Sequence, residues 1–403
     1  MITENPMTRL ERRTVGSLAL LYSFRMLGLF MVLPLLALYA VDFPDASPVM
    51  LGLALGIYGL SQAALQIPLG WLSDRVGRKP VIVGGLLVFA LGSVVAGQAE
   101  SVLGIVVGRF LQGAGAIAST VMALAADLTS EEQRTKAMAI VGASIGASFA
   151  VALVLGPAVA AGAGLAGVFY LTAVLAVLGV LIVIYLVPTP DRTGDYWEVG
   201  AQSQYLTRAL FDPQLLRLNF GVFSLHFMLM ASFLLVPTLL QDVLQLPRDN
   251  HWQVYLPVLL LSVLGVLPML RLAERSGYLR EVFAAAIVMI LLAMLGLALT
   301  GGATWFYLSL WLFFVGFNYL EATLPSLVSK AVFANGRGTA MGIFASCQFL
   351  GAFAGGAIGG YALQQWGSVG VLASCAAVGL TWLLLNNSRQ ETATEATGDL
   401  PGA

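Results

Sequence analysis

Gly70-Trp71-Leu72-Ser73-Asp74-Arg75-Val76-Gly77-Arg78-Lys79-Pro80 is a charged, glycine-bearing island between two long apolar runs. Far downstream Glu274, Arg275, Ser276 and Gly277, followed by Arg280, repeat its acid, base and glycine between another pair of apolar runs. The chain reads as a duplicated object, and the nature of its flanks decides what kind.

Those flanks belong to lipid. The 403 residues are 59% hydrophobic and 10% charged, with mean hydropathy +0.87. A helix rising about 1.5 Å per residue crosses roughly 30 Å of hydrocarbon in some 20 residues, and apolar runs of that length recur with short polar breaks. In lipid every backbone amide needs an internal partner, so continuous runs of this length are helices. Nothing alternates with the period of two of a membrane barrel.

The breaks predict twelve spans, at roughly 14–41, 49–72, 80–97, 102–126, 137–160, 164–188, 214–240, 252–272, 281–300, 304–329, 338–362 and 366–387. The expected organisation is an all-α integral membrane protein of two pseudo-symmetric six-helix bundles, 1–188 and 214–387, joined by a polar linker over 189–213 and followed by a disordered polar tail over 388–403. Of twenty lysines and arginines, seventeen fall in the loops, termini and adjoining span edges on one side. Basic residues concentrate in cytoplasmic loops, so both termini are expected in the cytoplasm. Arg248 is the one base in an opposite loop, and Arg25 and Arg109 lie inside spans.

The repeat extends past the island. Arg134, Ala137, Met138 and Ile140 return 203 residues later as Arg337, Ala340, Met341 and Ile343, and Pro34 returns as Pro237. Internal repeats of this kind build many transporters, with the substrate site where the halves meet.

Several function classes are excluded. A formal charge of −1 gives no case for nucleic acid. There is no G-x-x-x-x-G-K-[ST], so no nucleotide drives the protein, and no metal-ligand cluster or cofactor motif. Cys347 and Cys375 sit in apolar spans as small packing residues. The first span is too long for a signal peptide. No nucleophile and base pair points to an enzyme.

Gly70, Leu72, Asp74, Arg75, Gly77, Arg78 and Lys79 resemble the loop signature of the major facilitator superfamily between its second and third helices. Arg109, Gln112, Gly113 and Gly115 resemble a second motif of that family. Ala143, Ala152, Gly156, Pro157, Ala160 and Ala161 resemble its antiporter motif, with alanine at four positions where glycine is usual. The whole chain is similar to the proton-driven efflux branch, drug:proton antiporters of twelve helices in a bacterial inner membrane. Some members carry a cytoplasmic domain after the last helix, which is not expected here.

The resemblance implies a gating latch. Asp74 would approach the start of the eleventh span near Gly338, and Arg75 would pair with Asp127, closing the cytoplasmic side with Gly70, Gly77 and Arg78. Glu274 and Arg275 would form a weaker copy, since Leu279 replaces one base.

Ionisable groups inside a bilayer are costly and are functional candidates. Here they are Arg25, Arg109, His226 and Glu321, on helices that line the family's central cavity. Counting from the cytoplasmic ends places Arg25, His226 and Glu321 roughly 12 to 17 Å deep, with Arg109 nearer the far side. Glu321 is the leading proton site; the bland alternative is a carboxylate clamped to an arginine. His226 either carries protons or only packs by hydrogen bonds. Arg25 keeps its charge and acts as counter-ion to Glu321 or as substrate anchor. Arg109, beside Gln112 and Gly113, reads more as a packing residue.

Tyr22, Tyr58, Gln62, Gln66, Asn219, Asn318, Tyr319 and Gln348 could orient a ligand or bond between helices. Gly142, Gly146, Gly156, Gly351, Gly355 and Gly359 form small-residue faces expected to slide as the halves rock. The predicted function is a monomeric proton-coupled exporter of an amphiphilic small molecule. The alternatives are a facilitator or symporter for a sugar or organic anion, and a membrane sensor that does not transport. Two arginines against one glutamate favour a neutral or anionic solute.

Overall fold

The computed structural model describes residues 7–189, 210–275, 277–299, 302–332 and 337–387. Most of the 189–213 linker and the 388–403 tail lie outside them, as do the side chain of Arg275 and the surroundings of Gly338.

The described residues are helical without strands. In the first half α1 is Arg9–Tyr39, α2 Pro48–Val76, α3 Arg78–Gly97, α4 Val102–Ala114, α5 Ala118–Asp127 and α6 Glu131–Tyr185. The second half holds α7 Pro213–Asp242, α8 Trp252–Arg275, α9 Leu279–Ala298, α10 Ala303–Ala331 and α11 Arg337–Asn387. Helix starts follow local chemistry. Thr8 and Glu11 form a capping box on α1, Ser47 caps α2 ahead of Pro48, and Asp212 caps α7 ahead of Pro213.

Ten helices among the described residues are long and apolar enough to cross a membrane. The difference from the twelve expected spans lies in α6 and α11, of 55 and 51 residues, each about twice what a bilayer needs. Each breaks at one glycine in left-handed backbone, Gly164 at φ 64 and Gly367 at φ 63, a conformation that costs other residues strain. The chain reverses there. Before Gly164, Phe149 and Gly156 meet Phe30 and Met31, advancing along α1; after it, Thr172 and Gly179 meet Gly28 and Leu21, running back. Gly351, Gly355 and Gly359 likewise climb α7 past Phe223, Phe227 and Ala231, whereas Gly379 and Trp382 descend it past Met228 and Gly221.

These two glycines are 203 residues apart, the spacing of the sequence repeat. Gly77 and Gly277, at φ 100 and 74, keep the spacing of the charged island. Left-handed glycine is what lets α2 stop and α3 start within one residue.

Two ends can be told apart. At the island end Glu11 Oε1 accepts from the Ser130 amide at 2.9 Å, joining the starts of α1 and α6, and Lys79 donates to the Val187 carbonyl at 2.9 Å. At the opposite end Asp45 accepts from the Val102 and Leu103 amides at 2.7 and 3.0 Å, fastening the α1–α2 loop to the start of α4. Backbone hydrogen bonds hold its carboxyl below the usual carboxylate range.

The halves interlock from mid-membrane to that opposite end. The α2 glycines Gly52, Gly56 and Gly59 lie against Gly356, Phe353 and Phe349 of α11, and Gly360 lies against Pro48. A Cβ on Gly356 would stand 2.5 Å from the Gly52 carbonyl oxygen and 3.0 Å from the Gly56 amide nitrogen. Phe149 and Phe314 continue the contact at 6.4 Å between ring centres. Toward the island end Ile67, Trp71, Leu72 and Val76 of α2 are exposed, and a Cβ on Gly142 or Gly146 of α6, or Gly342 of α11, would meet open space.

The glycine expectation is corrected here. Gly351, Gly355 and Gly359 pack inside the second half and Gly156 inside the first, while Gly142 and Gly146 face space. The seam between halves is built from Gly52, Gly56, Gly59, Gly356 and Gly360, which lie on other faces of the same or neighbouring helices.

Candidate functional site

The interior polar groups separate into one cluster per half. In the second half Glu321 of α10, His226 of α7 and Gln348 of α11 converge. Gln348 Nε2 lies 2.8 Å from His226 Nε2 and 3.4 Å from Glu321 Oε1, and His226 Nε2 is 3.8 Å from Glu321 Oε2. His226 Nδ1 is 3.1 Å from the Val222 carbonyl. The Val222 carbonyl and Gln348 thus engage the two ring nitrogens and fix the orientation of the imidazole. The His226 ring also meets Phe317 edge-on at 5.9 Å. His226 keeps 11% of its side chain exposed against 40% for Glu321, so the carboxylate is the wet member of the cluster.

The first half holds both interior arginines, fully buried. Arg109 donates from Nε to the Ala54 carbonyl at 3.2 Å, from Nη2 to Leu55 at 3.3 Å and from Nη1 to Gln112 at 3.1 Å. Gln112 donates onward to Ser93 at 2.8 Å. This ties α4 to α2 and α3, the packing role expected for Arg109. Arg25 donates from Nη2 to Gln62 at 2.6 Å and to the Gly115 carbonyl at 3.3 Å, where the break between α4 and α5 frees an oxygen. Its Nε and Nη1 have no partner. Gln62 donates in turn to Gln66 at 3.2 Å.

Arg25 and Glu321 therefore find different partners, each within its own half, and the counter-ion pairing allowed by the sequence is not formed. Tyr58 links the two arginines: its ring lies 6.0 Å from the Arg25 guanidinium and 5.0 Å from that of Arg109. Phe349 of the other half lies 6.2 Å from Tyr58, edge-on. Tyr22 is buried beside this group.

The remaining ligand candidates scatter. Asn318 donates to Ser262 at 2.8 Å, an interhelical bond. Asn219 Oδ1 and the hydroxyls of Tyr58 and Tyr319 are buried without a partner. Among the described residues no three acids, histidines or cysteines group as a metal site.

In the charged island the hub is Arg78. It binds Asp74 through Nη1, Ser73 Oγ at 2.7 Å and Asp127 through Nε at 3.1 Å. The sequence reading gave Asp127 to Arg75; instead the Arg75 guanidinium lies 3.6 Å from the Trp71 ring centre. The reason is geometric. The reversal at Gly77 turns α3 back alongside α2, and its first residue then lies between the ends of α2 and α5. Asp74 accordingly bonds Arg78 within its own half, and the start of α11 near Gly338 lies outside the described side chains. Gly70 packs against Ser119 of α5, and Glu274 is exposed.

Sequence reasoning missed the bonds that cross between halves. Tyr39 donates to Asp249 Oδ1 at 2.9 Å, Arg248 meets Asp42 at 3.5 Å, and the Arg248 guanidinium lies 4.1 Å from the Tyr39 ring centre. The available signal was Arg248 itself, the base on the wrong side.

Among known proteins, the chain is 44% identical over 388 residues to the inner membrane transport protein YajR of Escherichia coli K12, covering 96% of this chain and 85% of that one. It is 27% identical over 347 residues to the multidrug resistance protein MdtH of Escherichia coli SE11, covering 83% and 81%. Its fold matches a point mutant of the nucleoside transporter NupG, with TM-score 0.73 and 14% identity over 93% of this chain and 99% of that one. The family profile of the Major Facilitator Superfamily matches residues 18–356. The helical duplication, the glycine-hinged halves and these likenesses agree: the chain belongs to the Major Facilitator Superfamily, and is a multi-pass membrane transporter of small molecules and not an enzyme.

Proposed function

We propose that this protein is a proton-coupled secondary transporter that exports an amphiphilic small molecule by alternating access. It works as a monomer of twelve crossings in a bacterial inner membrane with both termini in the cytoplasm. The chain reversals at Gly164 and Gly367 support twelve crossings, and the one-sided basic residues support the orientation. The name of YajR supports the membrane, and that of MdtH the substrate class.

The observation that carries the coupling is the Glu321, His226 and Gln348 cluster. A carboxyl group inside a membrane transporter is a candidate proton carrier, reached from one side and then the other as its surroundings change. Here the wet carboxylate lies beside an imidazole, and Gln348 bridges them. A proton reaching His226 Nε2 turns that atom into a donor, so the Gln348 amide must rotate to present its oxygen. Glu321 then faces a charged imidazolium. Loading one proton thus rearranges three side chains on three helices. In the other half Arg25 and Arg109 face no acid among the described interior residues, which favours a neutral or anionic solute.

Asp74, Arg78 and Asp127, with the turn glycine Gly77 and the packing glycine Gly70, form the cytoplasmic gate element. In the present conformation it stiffens the first half alone; when that end closes, Asp74 meets the positive start of α11. Arg75 and Glu274 supply lesser charges to the same rim.

The test uses proteoliposomes enclosing a pH-sensitive dye and a panel of amphiphiles. A substrate should drive proton counterflow in the wild type, and Glu321→Gln should remove the counterflow while leaving solute binding. Wild-type counterflow in that variant would rule out coupling through Glu321, and solute flux indifferent to the pH gradient would favour a facilitator.

A further inference from the structure

The cluster of Tyr39, Asp42, Arg248 and Asp249 lies apart from the Glu321, His226 and Gln348 cluster, and it joins the halves. Tyr39 ends α1 and Asp42 ends the 3-10 turn Ala40–Asp42. Arg248 and Asp249 open the 3-10 turn Arg248–Asn250 that leads into α8. Two polar pairs and one ring interleave: the Tyr39 hydroxyl to Asp249, the Arg248 guanidinium to Asp42, and that guanidinium over the Tyr39 ring.

Both sides are stiff. Asp45, three residues past Asp42, is fastened to the start of α4 by two amide bonds. On the other side the Leu246 amide donates to the Leu240 carbonyl at 3.2 Å, and buried His251 lies with Nε2 3.3 Å from the Leu246 carbonyl. Each partner is thus held by its own half, so the cluster cannot follow if the halves part.

We propose that Tyr39, Asp42, Arg248 and Asp249 form an outer latch that holds the periplasmic side shut, the counterpart of the Asp74, Arg78 and Asp127 element at the other end. The latch sits beyond the seam of Gly52, Gly56, Gly356 and Gly360, and breaks when that seam opens. Its groups are solvent-exposed at the rim, so water replaces the broken bonds and the latch biases the conformational balance without locking it. This also accounts for Arg248, a base otherwise misplaced on the outer side. The assignment rests on the alternating-access reading.

The experiment is double electron–electron resonance on the full chain in nanodiscs. Cys347 and Cys375 are replaced by Ala, and spin labels are placed at Val41 and Asp242. Wild type should give a dominant short outer distance with a minor long one. Arg248→Ala should raise the long population about fivefold, the combined effect of one exposed ion pair and one cation–π contact, and Tyr39→Phe should raise it less. The charge swap Asp42→Arg with Arg248→Asp should recover part of the shift, the ion-pair share without the contact on the Tyr39 ring. If wild type shows both populations and neither Arg248→Ala nor Tyr39→Phe changes their ratio, the latch is wrong while alternating access stands. If no variant and no condition yields a long distance, both readings fall together. Size-exclusion profiles matching wild type exclude misfolding as the cause of a shift.

Discussion

The phenol of Tyr39 donates a hydrogen bond to Asp249 at 2.9 Å, and the two residues belong to different halves of the molecule. At the island end the bonds made by Arg78 all stay within the first half. Among the described residues, then, the polar bonds that cross between the halves lie at the Tyr39 end, while those of the charged island stay within one half.

Arg78, not Arg75, should carry the stability of the island. Arg78→Ala removes the contact to Asp127 across α3 and α5, costing about 1 kcal/mol once partial exposure is allowed for. Arg75→Ala removes a stacking contact on Trp71 at the surface and should cost less. Thermal unfolding in detergent ranks them, and a double-mutant cycle should couple Arg78 to Asp127 but not Arg75 to Asp127.

The α2–α11 seam predicts a steric effect confined to one state. Gly356→Ala places a Cβ 2.5 Å from the Gly52 carbonyl oxygen, so the Tyr39 end, the outer side in the proposed orientation, should close less fully. A cysteine at Ser47, on a background lacking Cys347 and Cys375, should then react faster with a membrane-impermeant maleimide from outside. Gly142→Ala, which meets open space, is the control and should leave the rate unchanged.

Arg25 and Arg109 should respond differently to replacement by methionine. Arg109→Met leaves the Gln112 oxygen and the α2 anchor unpaired and should cost about 1–3 kcal/mol. Arg25→Met also leaves the Gln62 oxygen and the Gly115 carbonyl unpaired, but it removes a buried cation with two unpartnered nitrogens, so it should cost less than Arg109→Met. Thermal unfolding of the two variants side by side checks this, and loss of transport in a stable Arg25→Met would mark that arginine as functional.

Asp45 gives the pH dependence a sign. Its folded carboxyl lies below its ordinary value, so the bonds to α4 stabilise the protein above the unfolded value near 3.8 and are lost as pH falls through the lower folded value. The gap in unfolding temperature between wild type and Asp45→Asn should be constant near neutrality and shrink in strong acid. A gap that widens on acidification would contradict the assignment.

Much of this was legible from residues. Apolar runs and the Gly77 island gave the helices and the duplication, and the repeat spacing extends to Gly164 and Gly367, whose left-handed backbone no hydropathy reading could show. The proximity of His226, Glu321 and Gln348 was foreshadowed only as separate candidates, because depth along a helix can be counted but its facing cannot. The same limit explains the glycines: Gly351 and Gly356 share a helix, yet one faces α7 and the other α2. Arg75 and Arg78 were exchanged because the reversal at Gly77 decides which base reaches Asp127. Tyr39 and Asp249 carry no interior charge pattern, so their pairing appears only in three dimensions.

The most direct measurement pairs two spin-label distances in one preparation, Val41 with Asp242 at the outer end and Val76 with Lys330 at the island end, across a pH titration in nanodiscs. Alternating access predicts opposite changes, the outer distance lengthening as the island-end distance shortens, with Glu321→Gln removing the pH response of both. Distances that lengthen together, or that stay fixed while a substrate is transported, would contradict the account.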